Sequence, residues 1–202
     1  MTTQMPITWP DYYSPNAELA HAIGVVSINF NSIEHCVGIL FEIYVTIPNV
    51  ANCKLFTKLD NSSRVTLIKD CLNGSDHNQE VKNAFSFFLD GFLVCSQNRN
   101  ILMHGHVVGH AVAPKSIMRI VMSKRARGSS TENAYHIDLS EIRRIADDTY
   151  RFVEYFFEVF IFMLQSHYNE KFDYFFRYGP FRLPNRPALP AALNPRFSFP
   201  GI

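Results

Sequence analysis

Residues 81–105 read VKNAFSFFLDGFLVCSQNRNILMHG. Val81, Ala84, Phe85, Phe88, Phe92, Cys95 and Leu102 recur at the steps that stack side chains on one face of an α-helix. The pattern predicts a long amphipathic helix that stops at Gly105. Its last turns carry Arg99, Asn100 and His104, where the period otherwise calls for core. The rest of the chain then reads as a helical scaffold for this short polar segment.

Working toward the N-terminus, Ser75–Asn78 reads as a turn and Gly74 as the end of a helix whose stripe is Val65, Ile68, Cys71 and Leu72. Ser62 or Ser63 is its expected cap. A short helix is expected around Ala51–Leu59. Before it, Ile23, Phe30, Ile33, Val37, Leu40, Phe41 and Tyr44 mark a helix from about Asn16 to Val45, ended ahead of Pro48. Glu34 lies inside that pattern, beside the apolar stripe. Residues 1–15, with Pro6, Pro10, Pro15 and Trp9, read as an irregular arm.

Beyond Gly105 the period changes. His106–Val112, Ser116–Met122 and Ala134–Leu139 read as short strands, with a mobile tip at Arg125–Asn133. Ser140 is the expected cap of a last long helix, buried through Ile142, Ile145, Phe152, Phe156, Val159, Phe160 and Met163, its pattern continuing toward Gly179. Six prolines between Pro180 and Pro200 predict an extended tail, free unless it docks on a partner. The expected fold is therefore all-α. It is an up-and-down bundle of four to five helices over residues 16–178, with a small β-hairpin insertion at about 106–139 before the last long helix. An arm (1–15) precedes the bundle, and a Pro-rich tail (179–202) follows it.

Composition narrows the function classes. An apolar fraction of 47% against 18% charged residues is a globular balance, and 18 Phe with 9 Tyr predict a large aromatic core with surplus for an oligomer interface. A net charge of +1 supplies no global field toward nucleic acid, so such a partner must be met by local patches. Cys36, Cys53, Cys71 and Cys95 form no C-x-x-C pair and read as reduced, buried thiols of a cytoplasmic protein. The first ten residues do not read as a signal peptide. Phe152–Leu164, interrupted by Glu154 and Glu158, is too short and too charged to span a bilayer, so no membrane partner is expected.

Arg99-Asn100-x-x-x-His104, at the end of a long helix in an all-α domain, resembles the R-x4-6-H motif of the HEPN superfamily, helical domains that include many metal-independent ribonucleases. The wider order is similar to uncharacterised bacterial HEPN-like proteins: Phe30-x-x-Ile-Glu34 in the first helix, then Arg-Asn-x-x-x-His-Gly, a hairpin and a capped last helix. The resemblance covers residues 16–175. It implies a metal-independent endoribonuclease without cofactor. Its site would be a composite at a homodimer interface, with Arg99, Asn100 and His104 catalytic and Glu34 supporting Arg99. It also raises a toxin–antitoxin role with a neutralising or regulatory protein partner.

The residue types suit RNA cleavage by its own 2′-hydroxyl, which needs a proton acceptor, a proton donor and a cation for the phosphorane. Histidine does proton work near neutrality, and arginine offers fork-like donors to phosphate. In a straight helix, however, Arg99 and His104 point about 140° apart. They converge only if the helix bends or ends there, or if a second protomer completes the site. Proximity to a helix C-terminus favours a charged His104. Lys115, Arg119, Lys124, Arg125 and Arg127, with no acidic residue from His106 to Thr131, are the best local candidates for RNA backbone contact. The competing reading is a noncatalytic helical interaction protein, or one that binds phosphate or nucleotide, whose Arg–His motif is structural. His104, His106 and His110 could be zinc ligands, but no carboxylate or cysteine adjoins them, and no metal is expected.

Overall fold

The computed structural model describes residues 17–47, 49–107, 117–126, 129–167, 182–195 and 197–200. The helices are α1 (Ala17–Tyr44), α2 (Asn49–Lys58), α3 (Asn61–Asn73), α4 (Gln79–His104) and α5 (Leu139–His167). The strands are β1 (His106–Val107), β2 (Ile117–Ala126), β3 (Ser129–Asp138) and β4 (Phe197–Pro200). This is the helical bundle with a β-insertion before its last helix that the periodicity predicts. The N-terminal arm and the continuation of α5 toward Gly179 lie outside the described residues.

Helices α3, α4 and α5 each start on a local hydrogen bond. Asp60 accepts from the Ser63 N–H at 2.7 Å, and Asn78 from the Val81 N–H at 2.9 Å. Asp138 accepts from the Glu141 N–H at 2.9 Å and from Ser140 Oγ at 2.6 Å. The caps of α3 and α5 are thus the aspartates, not the serines expected from sequence. An ionised carboxylate at a helix N-terminus also meets the positive end of the helix dipole.

Helices α1, α3 and α5 all run antiparallel to α4. Phe30 stacks on Phe92 and Tyr44 meets Phe85, so α1 and α4 are antiparallel. Asn61 with Ser96, and Lys69 with Asp90, set α3 antiparallel to α4. Phe85 with Phe156, and Phe87 with Phe152, do the same for α4 and α5. Both being antiparallel to α4, α1 and α5 are parallel neighbours, tied by Asn29 Nδ2 to the Ala146 carbonyl and Tyr44 Oη to Met163 Sδ.

Two cores divide this bundle along its length. The larger is aromatic, built on Phe41, Phe85, Phe88, Phe92, Phe152 and Phe156, all fully buried. Gly91 lets it close: a Cβ there would lie 1.9 Å from a ring carbon of Phe152. The smaller core joins Leu19 and Val26 of α1, Ile101 and Leu102 of α4, Tyr135 and Ile137 of β3, Ile142 and Ile145 of α5, and Leu193. The last turn of α4 is seated on this second core.

By length and composition α1 is apolar enough to cross a membrane. Part of its apolar surface, including Leu19, Val26, Phe30, Ile33 and Leu40, lines the two cores, while Ile28 and Ile43 are exposed. Of the four free cysteines, Cys36 and Cys95 are buried as expected, Cys71 is half-buried and Cys53 is exposed.

The sheet has strand order β1-β2-β3-β4, all antiparallel. The hairpin is longer than the composition suggests. Pairing runs from Ile117↔Asp138 to Ala126↔Ser129, so Arg125 and Asn133 lie within strands rather than in a loose tip. The Pro-rich tail also differs from expectation, because it docks on its own chain. Arg186 lies 5.2 Å from the centroid of the Phe87 ring, and Pro190 and Leu193 are buried. β4 then pairs with β3 from Ala134↔Phe197 to Thr131↔Pro200. The tail runs beside α4 from Phe87 down to the sheet, as a strap.

Candidate functional site at the end of α4

The helix ends at His104 because Gly105 turns extended, with φ −72° and ψ 143°, and the chain enters β1. That backbone conformation suits any residue, so the glycine is not required by a left-handed turn. Its N–H still bonds the Ile101 carbonyl at 3.1 Å, which closes the final turn. Beyond His104 no further turn of helix covers the motif.

At this free end the three polar residues come together within one chain. Arg99 Nη1 donates to Asn100 Oδ1 at 3.1 Å and lies 3.2 Å from His104 Nε2. The 140° mismatch is absorbed by the length of the arginine side chain and by the helix terminus. Asn100 and His104 are exposed, while Arg99 is half-buried with its guanidinium 5.3 Å from the centroid of Phe30. Such a cation–π contact contributes about 0.5–1 kcal/mol at a partly exposed site and fixes the plane of the guanidinium. Arg99 Nε is buried without a hydrogen-bond partner among the described residues, a local cost of about 1–3 kcal/mol.

A guanidinium can only donate, so in this contact the acceptor is the His104 Nε2 lone pair.

Glu34 does not hold Arg99. Its carboxylate pairs with Arg64 Nη1 at 2.9 Å. Arg64 is the better-placed cation because it is anchored on three sides. Its Nε donates to the Phe56 carbonyl at 2.8 Å, Nη1 donates to Asn61 Oδ1 at 2.9 Å, and its guanidinium lies 4.0 Å from the centroid of Phe56. Arg99 is drawn instead to Phe30, one turn earlier on α1.

Sequence reasoning missed Arg64 and Asn98, although a signal for both exists. Arg64 stands four and eight residues before Ile68 and Leu72, so it shares their buried stripe. Asn98 falls between Cys95 and Leu102 at helical spacing, and it is only 1% exposed. Its amide bonds the strap on both sides: Nδ2 donates to the Ala191 carbonyl at 3.0 Å, and Oδ1 accepts from the Leu193 N–H at 2.8 Å. The residue immediately before Arg99 is thereby clamped.

Next to the motif, between the start of α3, α4 and β3, lies a cleft of about 620 Å³. Glu34, Arg64, Ser96, Gln97, Asn100 and Tyr135 are among its walls. Asn100 therefore belongs both to the cleft and to the Arg99–His104 cluster. Arg119, Lys124 and Arg125 fall in β2, paired in register with His136, Thr131 and Ser130. Lys115, Arg127 and His110 lie outside the described residues. Among the described residues no group of three or more His, Cys, Asp or Glu side chains is placed to hold a metal ion.

Neither a protein-family model, nor a curated protein, nor a solved structure matches this chain.

Proposed function

We propose that the chain is a HEPN-like, cytoplasmic homodimeric endoribonuclease that cleaves RNA without metal through Arg99, Asn100 and His104. The observation that carries the reading is the 3.2 Å approach of Arg99 Nη1 to His104 Nε2 at an exposed helix end. It joins a fixed cation to a basic ring nitrogen at one accessible point.

In this reading a phosphate displaces His104 from Arg99 and takes the guanidinium donors. The freed Nε2 lone pair accepts the proton of the ribose 2′-hydroxyl. The 2′-oxygen attacks phosphorus, and the 5′-oxygen leaves with a proton from an acid. The products are a 2′,3′-cyclic phosphate and a 5′-hydroxyl. One chain supplies one histidine to the motif, so base and acid together call for the His104 residues of two protomers facing one groove. Asn100 keeps Arg99 oriented through its Oδ1. A neutralising partner would act by covering this helix end.

A second reading, binding of phosphate or nucleotide without turnover, is favoured by one feature: Arg99, Asn100 and His104 already engage one another. RNA cleavage by wild type and His104→Ala, with chelator present, separates the two. Loss of a general acid–base group should slow cleavage about 10²–10⁴-fold. Equal rates would overturn the catalytic reading, and an inactive wild type that binds RNA through Arg99 would support the second.

A further inference from the structure

The cleft beside the motif has chemistry that the catalytic cluster does not use. Its apolar walls are Leu59, Leu93, Ile101 and the ring of Tyr135. Its one cation is already matched: Arg64 is paired with Glu34, while the Asp60 carboxylate caps the first turn of α3 and leaves the lining one negative charge in excess. No unpaired cation remains in it to attract a second phosphate. Asn61 is spent as well, donating to Ser96 Oγ at 2.7 Å and accepting from Arg64.

The groups left over include two neutral amides and one oxygen of the Glu34 carboxylate. Gln97 is exposed and makes no hydrogen bond among the described residues, so its amide offers a donor and an acceptor. Asn100 commits its Oδ1 to Arg99 and leaves its Nδ2 free. Glu34 commits Oε1 to Arg64 and leaves Oε2. Apolar walls with mixed donors and acceptors along one side suit a flat, uncharged heterocycle. The volume lies within the ordinary range for small-molecule sites, about 300–1,000 Å³. Unstacked RNA bases are recognised by this combination of apolar or aromatic surface and edge hydrogen bonds.

We propose that this cleft is a nucleobase subsite. It takes the unstacked base of a nucleotide adjoining the phosphate held at Arg99, with the Gln97 and Asn100 amides bonding the base edge. Asn100 is the link, since one side chain touches both the guanidinium and the cleft. The inference rests on the reading of Arg99 and His104 as an RNA phosphate site, and it adds base recognition to it.

The test uses the full-length protein and two labelled single-stranded 2′-O-methyl RNA probes, which cannot react through a 2′-hydroxyl. One probe carries every base, and the other is a set with a single abasic position scanned along it. Fluorescence anisotropy should show about tenfold weaker binding when the base next to the bound phosphate is missing, the size of one good polar contact. Gln97→Ala should bring the two affinities to within about twofold. A preference for the base that survives Gln97→Ala would overturn the proposal, as would equal binding of both probes by wild type. If base-dependent binding is lost in Gln97→Ala while unmodified RNA is never cleaved, the catalytic reading falls and the subsite stands. If cleavage depends on His104 but no probe shows a Gln97-dependent base preference, the subsite falls alone. Absence of binding by both probes overturns the subsite, and the cleavage assay then decides the catalytic reading by itself.

Discussion

Asn98→Ala removes the clamp between α4 and the C-terminal strap, and the structure gives the size of the effect. The wild-type amide makes two hydrogen bonds across 93 and 95 residues of chain, at 3.0 and 2.8 Å. After substitution, Ala191 keeps long contacts to Arg144 at 3.5 Å, and its carbonyl lies on an exposed residue that water can reach. That bond should cost about 1 kcal/mol. Leu193 is different: it is 3% exposed, and its N–H loses its partner inside the smaller core. An orphaned buried donor costs about 1–3 kcal/mol, so the sum is about 2–4 kcal/mol against a usual total of about 5–15. At about 2–4 °C per kcal/mol for a chain of this size, a 3 kcal/mol loss lowers Tm by about 6–12 °C. Differential scanning calorimetry measures the shift, and hydrogen exchange at the Leu193 amide locates it. A Tm within 1 °C of wild type, with Leu193 still protected, would refute the clamp.

Gly91→Ala should destabilise by about 1–3 kcal/mol, because the new Cβ meets the ring of Phe152, which is fully buried and has no room to yield. Helix propensity alone predicts the opposite, a gain of about 1 kcal/mol, so the sign of the change in urea unfolding decides; Phe152→Leu in the same chain should relieve the clash. Alkali should weaken the fold. Burial pushes the Cys36 thiol up to about 12, the Cys95 thiol up to about 11 and the Tyr44 hydroxyl up to about 12. The unfolded chain ionises these groups first, so their contribution is complete below about pH 9 and is lost as pH rises toward 11–12. Urea midpoints should fall between pH 8 and pH 10.5, and Cys36→Ala combined with Cys95→Ala should reduce the slope; a flat profile in wild type would contradict it.

The helices were legible because apolar spacing reports burial directly. Leu40, Phe85, Phe88, Phe92 and Phe156 are all fully buried where the period placed them. Helix starts were harder, because Asp60 and Asp138 compete with neighbouring serines and only geometry decides which oxygen reaches the N–H. The hairpin exceeded its composition because cross-strand pairing holds Ser129, Ser130 and Thr131 in a ladder that their propensities alone do not demand.

The motif was legible as a set of residues, and its convergence was not. Spacing along one helix says nothing about which distant cation reaches Glu34, so Arg64 took the place assigned to Arg99. The same limit hid the strap. Nothing near Pro190 or Leu193 in sequence points to Asn98, although a polar residue on the buried stripe of α4 was a sign that something must satisfy it.

The strand order has a consequence for solubility. β1 covers β2 only at Ile120 and Val121, so among the described residues Met122–Ala126 has an open backbone flank on that side. Open flanks of this kind recruit strands from other molecules, and charged side chains, lysine above all, are a common deterrent. Lys124 and Arg125 fall in that stretch, which gives the basic run a protective role independent of RNA. On the other side β4 shields Thr131–Ala134. Ending the chain at residue 195 would bare that flank without touching a single helix, and the expected symptom is aggregation at high concentration.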